Sequence, residues 1–226
     1  MSLNEIEQAV KSTIRDSEFQ SLTTDIAEVL IDSNMEDGIL KDVPGLSILI
    51  SAFKTTNNVK GALMAKKLVY FLTQLKDIPA KKRKALIDKI DNSEKYRTRV
   101  AEKLLFIIDK CQDAEKAELV GKLFKAFLNE ELNYEEFLRA SESIERIFIL
   151  DLLRFVDERW GVMHENDDYI LGLMNAGLVR LKEVNSRDAK FDGTAENDIL
   201  YSLTELGNKM RTILSTKPFT DVYSIF

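Results

Sequence analysis

Residues 173–180 read LMNAGLVR and residues 200–207 read LYSLTELG, and the predicted fold follows mainly from these two stretches. Gly177 follows an apolar helical segment, which is typical of a helix that ends on a left-handed glycine. Apolar residues then alternate with polar ones, which predicts strands over 178–184 and 199–203. A polar linker between the strands favours a hairpin.

The neighbouring residues extend this pattern on both sides. Residues 167–176 predict a short helix before the first strand, and residues 205–214 predict a closing helix after the second. Thr204 is suited to cap the closing helix, because its hydroxyl can accept a hydrogen bond from a free N–H of the first turn. The predicted order is helix, strand, polar loop, strand, helix.

This order and the two quoted stretches resemble the winged helix-turn-helix regulators of the MarR and PadR families. In those families the glycine ends the recognition helix, the strands flank the wing, and the threonine caps the closing helix. The resemblance covers residues 143–216, about a third of the chain. It implies a small α+β winged-helix-like domain with a two-stranded hairpin; an ordinary helix, hairpin and helix is the alternative.

The residues before this part predict helices almost throughout. Apolar residues recur at three- and four-residue spacing between 117 and 127, and Asp113 stands where a helix would start. Asn133 and Glu136 have the spacing of a reciprocal helix cap. The fold class is therefore mainly α, with an N-terminal helical bundle over 1–142, a winged-helix-like domain over 143–216 and a tail over 217–226.

Two details of the helical part concern where helices begin and break. Pro79 suits the first position of a helix, where its missing N–H costs nothing. Residues 133–160 predict either one helix or two helices with a break near 141–143.

Composition narrows the class of protein. The 226 residues are 45% hydrophobic, enough to bury a core, and one cysteine cannot form an internal disulfide. One cysteine and one histidine cannot build a zinc site unaided, so we predict no metal and no cofactor. The polar, acidic N-terminus does not resemble a secretory leader, and the uncharged stretch 43–53 is shorter than the roughly 20 residues of a membrane span. We expect a soluble, cytoplasmic protein.

Charge is unevenly distributed along the chain, whose net charge is −6. Residues 1–53 sum to −7, whereas residues 54–103, here called the basic segment, sum to +9. Either this segment meets an anionic partner, or it packs beside acidic segments of the same protein. The candidate basic surface comprises Lys66, Lys67, Lys76, Lys81, Lys82, Arg83 and Lys84.

The sequence of the basic segment is consistent with two kinds of anionic partner. The apolar stretch 44–53 runs directly into it, as in a helix that lies on an anionic membrane, although a core helix with solvated lysines has the same pattern. Nucleic acid is also possible chemically, but aromatic residues for base stacking are few, namely Tyr70, Phe71 and Tyr96.

Charge in the winged-helix-like part disfavours DNA binding. The candidate recognition helix begins with the acidic residues of 165–168, and the candidate wing, 183–198, has five acidic residues against Arg187 and Lys190. Binding to phosphates requires cations on this surface. Arg180 and Lys182 remain as candidate contacts, although both fit solvent-facing strand positions. A domain with this charge is better suited to protein contact or dimerisation than to DNA binding.

Residues suited to catalysis are sparse. His164 is the single histidine and reads as a surface residue, whereas Cys111 follows an apolar helical face and reads as a small buried residue. Isolated glycines make no phosphate-binding loop. We therefore predict that the protein is not an enzyme.

A second resemblance concerns the helical part. Residues 41–54, KDVPGLSILISAFK, and 114–146, AEKAELVGKLFKAFLNEELNYEEFLRASESIER, resemble bacterial abortive-infection proteins of the Abi-alpha type. The resemblance implies a role in antiviral (antiphage) defence without a defined active site.

Together these observations predict a bacterial interaction or regulatory protein that acts through a protein partner or self-association. The alternatives are a winged-helix DNA-binding transcriptional regulator and a peripheral membrane effector that uses residues 44–84. The aromatic residues of the tail, Phe219, Tyr223 and Phe226, predict that it docks on a groove.

Overall fold

The computed structural model describes residues 3–16, 48, 51, 59–93, 100–157, 168–182 and 200–215. Over these residues the chain forms nine helices and one two-stranded antiparallel sheet. The elements are α1 Leu3–Arg15, α2 Val59–Thr73, α3 Ala80–Asp91, α4 Val100–Lys110, α5 Ala114–Leu128, α6 Tyr134–Arg146, α7 Ile149–Asp157, α8 Asp168–Asn175, β1 Val179–Lys182, β2 Leu200–Leu203 and α9 Glu205–Leu214. The predicted fold class, mainly α with a small hairpin, is confirmed.

The chain divides into two compact units, Met1–Phe137 and Leu138–Phe226. We refer to them as the N-terminal unit and the C-terminal unit. The domain limits expected from the sequence, after residues 142 and 216, stay predictions, and the tail 217–226 lies outside the described residues.

The core of the N-terminal unit is built where α2 packs on α5. Its centre is a cluster of aromatic rings with centroids 5.3 to 6.3 Å apart. Gly121 lets the two helices approach, because a Cβ at this position would lie 2.6 Å from the carbonyl oxygen of Phe71. The cluster comprises Phe71, Phe124, Phe127, Tyr134 and Phe137.

Local side-chain caps set two helix starts in this unit, as predicted. The Asp113 carboxylate accepts from the backbone N–H of Lys116 at 2.8 Å. Asn133 and Glu136 cap reciprocally: each backbone N–H donates to the other's side-chain oxygen, at 2.8 and 3.0 Å. Helix starts of this kind depend on residues three apart in sequence, so the sequence alone predicts them.

The expectation for Pro79 was wrong by one position. Its ψ of 136° is extended, so it is the residue before α3, and Ala80 is the first helical residue. The carbonyl of Pro79 accepts from the backbone N–H groups of Lys82 and Arg83. The proline therefore opens α3 from outside the helix.

Residues 133–160 form two helices in their described part, with the break later than the sequence indicated. Helix α6 continues through 141–143 to Arg146, and the break lies at 147–148. The Ser143 hydroxyl lies 3.1 Å from the carbonyl oxygen of Arg139 and 2.6 Å from that of Ala176. The hydroxyl has one carbonyl partner within α6 and a closer one outside it, and the helix continues through this serine without a break.

The C-terminal unit contains the predicted helix, hairpin and helix as α8, β1, β2 and α9. Gly177 adopts φ +74° after α8, and the N–H of Leu178 donates to the carbonyl of Leu173 at 2.9 Å, which is a Schellman stop. Strands β1 and β2 pair antiparallel in a register that places Val179 opposite Leu203.

Thr204 joins this hairpin to α9 and caps the helix as predicted. Its hydroxyl accepts from the N–H of Gly207 at 2.9 Å and donates to the carbonyl of Gly177 at 2.8 Å. A Cβ at Gly207 would lie 2.1 Å from the carbonyl oxygen of Leu178, so only glycine fits there. The cap thus holds the start of α9 close to the end of α8.

Candidate interaction surfaces

Helix α3 carries most of the candidate basic surface, and it has two different faces. Arg83, Ile87 and Ile90 are buried. The opposite side exposes four lysines, which we call the lysine face: Lys81, Lys82, Lys84 and Lys89. The two sets alternate with the 3.6-residue period of the helix, so the packing of the apolar residues determines which cations face solvent.

Arg83 does not belong to an outward basic surface, which corrects the sequence-based assignment. Its side chain is fully buried, and its guanidinium donates to backbone carbonyls of Ile14 (Nε–O 2.5 Å), Asp16 and Ile78. Burial lowers the pKa of this guanidinium, and the nearby charge of Asp16 opposes the shift. Arg83 is thus an internal connector, because it joins the C-terminal end of α1 to the start of α3.

The three candidate lysines outside α3 lie on or just after α2. The Lys67 ammonium donates to the carbonyl oxygens of Asp109 and Cys111 at 2.8 and 2.7 Å, which supports the C-terminal end of α4. The Lys66 ammonium lies 5.7 Å from the ring centroid of Tyr70. Lys76 is half-buried in the turn after α2. Of these lysines, Lys67 has a structural role.

Two ion pairs join α1 to α3. In both, the cation comes from the acidic segment 1–53 and the carboxylate from the basic segment, the reverse of what their net charges suggest. Lys11 pairs with Asp91, and Arg15 pairs with Asp88. As a result both aspartates near the C-terminal end of α3 are neutralised, and the lysine face keeps its positive charge.

Helix α5 contacts the start of α3 and the preceding turn through polar groups. Lys125 donates to the Asp77 carboxylate at 2.8 Å, and this hydrogen bond lowers the pKa of Asp77. The Lys82 ammonium donates to the Asn129 side-chain oxygen at 3.0 Å. An ammonium has three protons, so Lys82 retains donors for a partner.

The candidate nucleic-acid contacts in the C-terminal unit lie mainly where the structure does not describe side chains. Arg180 is exposed on β1, where its Nε lies 3.4 Å from the Ser202 hydroxyl. The backbone of Lys182 pairs with that of Leu200. Arg187 and Lys190 lie outside the described residues, as do the acidic residues of the candidate wing.

Large apolar side chains are exposed on the described part of the C-terminal unit. Their exposed fractions range from 39% to 62%. We call them the apolar set: Phe148, Leu150, Leu153, Leu171 and Leu181. Three belong to α7 or directly precede it, one to α8 and one to β1. Helix α8 packs on α7 and on β1, so these elements are neighbours.

Sequence reasoning missed the apolar set, although α7 contains a signal for it. Six of the nine residues of α7 are apolar, which is more than one buried helix face accommodates. Of these six, Leu152, Phe155 and Val156 are buried. The polar side of the α7–α8 contact includes Arg154, whose guanidinium lies 4.4 Å from the ring centroid of Tyr169. The sequence signal for exposed apolar side chains was therefore the number of apolar residues in α7, which is larger than one buried stripe requires.

The residues weighed for chemistry occupy ordinary positions where they are described. Cys111 is buried, and its thiol lies 3.4 Å from the carbonyl oxygen of Ile107. His164 lies outside the described residues. Within the described ranges, no group of three or more His, Cys, Asp and Glu side chains is arranged to hold a metal ion.

Comparison with known proteins returned no match among family models, curated proteins or solved structures. None of the helices in the described part of the chain is long and apolar enough to cross a membrane.

Proposed function

We propose that this is a non-enzymatic interaction protein whose C-terminal unit binds a partner protein through the apolar set. The observation that supports the proposal is the exposure of five large apolar side chains, four of them on α7, α8 and β1 and one, Phe148, directly before α7. Leucine and phenylalanine release roughly 25 cal/mol for each Å² of apolar surface removed from water. A partner that covers them gains binding energy from each one.

Neighbouring polar groups suit a protein partner as well. Arg154 and Asp157 are exposed on α7 beside Leu150 and Leu153. Apolar anchors bordered by charged residues are the usual anatomy of a protein–protein interface. A second copy of the chain and a different protein are both compatible with this surface.

The alternatives carried from the sequence stay predictions. A DNA-binding regulator would need cations around β1, where Arg180 is accompanied by the exposed Leu181. A membrane effector would use residues 44–84, of which the structure describes Ile48, Ser51 and 59–84. The resemblance of 41–54 and 114–146 to abortive-infection proteins adds the expectation of a role in bacterial defence, in the cytoplasm.

The proposal is tested by replacing members of the apolar set with serine. The variant L150S/L153S/L171S should lose self-association, measured by light scattering after gel filtration, or should lose a partner that the wild-type chain retains in quantitative affinity purification. The matched control is V59S/L63S/F106S, which removes three exposed apolar side chains from the N-terminal unit. The control should keep the interaction.

Two results would contradict the proposal. One is an interaction that survives in L150S/L153S/L171S and disappears in the control variant. The other is a wild-type chain that is monomeric and retains no protein above the level of the L150S/L153S/L171S variant. Circular dichroism of both variants establishes that they are folded.

A further inference from the structure

The lysine face of α3 is a second surface, in the N-terminal unit, with a different chemistry. Lys81, Lys82, Lys84 and Lys89 are exposed on one side of a helix whose other side is packed inside the unit. At 1.5 Å per residue, positions 81 to 89 span roughly 12 Å. Four positive charges therefore lie on one broad face of a short helix.

The carboxylates of α3 itself do not cancel the charge of the lysine face. The two aspartates of α3 beside it, Asp88 and Asp91, are paired with Arg15 and Lys11 of α1. The arrangement also places three lysines in the first turns of α3, where the positive end of the helix dipole disfavours cations. A locally unfavourable arrangement of charge is expected where a sequence serves a partner as well as a fold.

The composition of the face selects among anionic partners. The apolar residues Ile87 and Ile90 of α3 are buried inside the unit, so they cannot enter a membrane as the apolar side of an interfacial helix does. Ala85 is the one other residue of α3 that is exposed, so the face offers neither an apolar anchor for a protein nor an aromatic ring for an unpaired base.

The phosphate backbone of a duplex is a partner that needs neither an apolar anchor nor a stacking ring. We propose that the lysine face binds the backbone of double-stranded nucleic acid without sequence preference. Each strand of duplex DNA carries one negative charge per roughly 3.4 Å of helix axis, so four lysines within roughly 12 Å have about the charge spacing of one strand. The lysine face lies in the N-terminal unit and the apolar set in the C-terminal unit.

Salt dependence gives the proposal a quantitative test. Each neutralised phosphate contributes about 0.9 to the slope of log affinity against log salt, so four lysines predict a slope of about −3.6. Between about 50 and 200 mM salt the affinity should then fall roughly 150-fold. Fluorescence anisotropy of a labelled duplex of about 20 base pairs measures this, and two unrelated sequences should give the same slope.

The decisive variant is K81Q/K82Q/K84Q/K89Q, which keeps Arg83 and the buried residues of α3. It should lose the salt-dependent binding. The matched control is K60Q/K103Q/K110Q/K122Q, which removes the same charge from other helices of the same unit and should retain the wild-type slope within about one unit. If the fourfold variant is unfolded by circular dichroism, K81Q/K84Q replaces it, and its slope should be shallower by about two.

Three outcomes would overturn the proposal. The wild-type chain could fail to bind duplex at low salt; the control could lose as much affinity as the lysine-face variant; or the chain could bind phosphatidylserine vesicles or polyglutamate while leaving duplex unbound. Partner retention by the apolar set should be unchanged in K81Q/K82Q/K84Q/K89Q, so this proposal and the proposed function can fail separately.

Discussion

At the scale of the residue, the neighbouring cations Arg83 and Lys84 have different roles, one inside the unit and the other on its surface. Arg83 is fully buried, and its planar guanidinium donates to main-chain carbonyls of α1 and of the turn before α3. Lys84 is exposed on the lysine face. A guanidinium has five donors in a fixed fork, which suits several carbonyls around one buried site.

Replacing Arg83 with methionine should lower the free energy of unfolding by about 2–6 kcal/mol. The substitution leaves the buried carbonyls of Ile14 and Ile78 without this donor, and each buried acceptor left unsatisfied costs about 1–3 kcal/mol. Chemical denaturation measures the change. Lys84→Met is the control and should stay within about 0.5 kcal/mol of wild type. Equal losses for the two variants would show that Arg83 is not a connector.

At the scale of the element, two helical glycines differ in how closely a neighbouring element approaches them. Gly121 of α5 stands against the backbone of α2, with a virtual Cβ 2.6 Å from the Phe71 carbonyl oxygen. At Gly172 of α8 the nearest atom to a virtual Cβ is an Asp151 carboxylate oxygen at 3.6 Å, an ordinary contact. One glycine is required by packing, whereas the other lowers helix stability without a packing reason.

Alanine substitutions should therefore act in opposite directions at these two glycines. Gly121→Ala should lower stability by about 1–3 kcal/mol, because α2 and α5 must separate. Gly172→Ala should raise it by about 0.5–1 kcal/mol, because alanine favours a helix interior. Thermal unfolding of the two variants measures both signs. Stabilisation by Gly121→Ala would refute the close approach of α2 and α5.

Helix α3 offers a test of its charge arrangement at the same scale. Lys81 stands in its first turn and Lys89 in its last, so the helix dipole opposes the first charge and favours the second. Lys81→Glu should raise stability by about 0.3–1 kcal/mol at low salt, and Lys89→Glu should lower it by a similar amount. A gain in both variants would mean that repulsion among lysines, and not the dipole, dominates.

At the scale of the whole molecule, the two proposed surfaces lie in different units. The lysine face belongs to Met1–Phe137, and the apolar set belongs to Leu138–Phe226. The two surfaces also differ in chemistry, since one is charged and salt-sensitive and the other is apolar. Variants of one surface therefore serve as controls for the other.

Features that depend on residues a few positions apart are predictable from the order of the amino acids. The caps at Asp113, Asn133 and Thr204 and the stop at Gly177 were predictable, because a side chain or a glycine acts on backbone groups within one turn. The alternation of residues around β1 and β2 likewise predicted the hairpin. Local chemistry was sufficient for these elements.

Packing between segments that are distant in sequence determines which cations and which leucines face solvent. Arg83 and Lys84 are adjacent in a run of basic residues, and the carbonyls that bind Arg83 include one 69 positions earlier in the chain. Leu150 and Leu152 are equally apolar in sequence, yet one is exposed and the other buried. Exposure is set by the packing of helices distant in sequence, and the pattern within one helix does not contain that information.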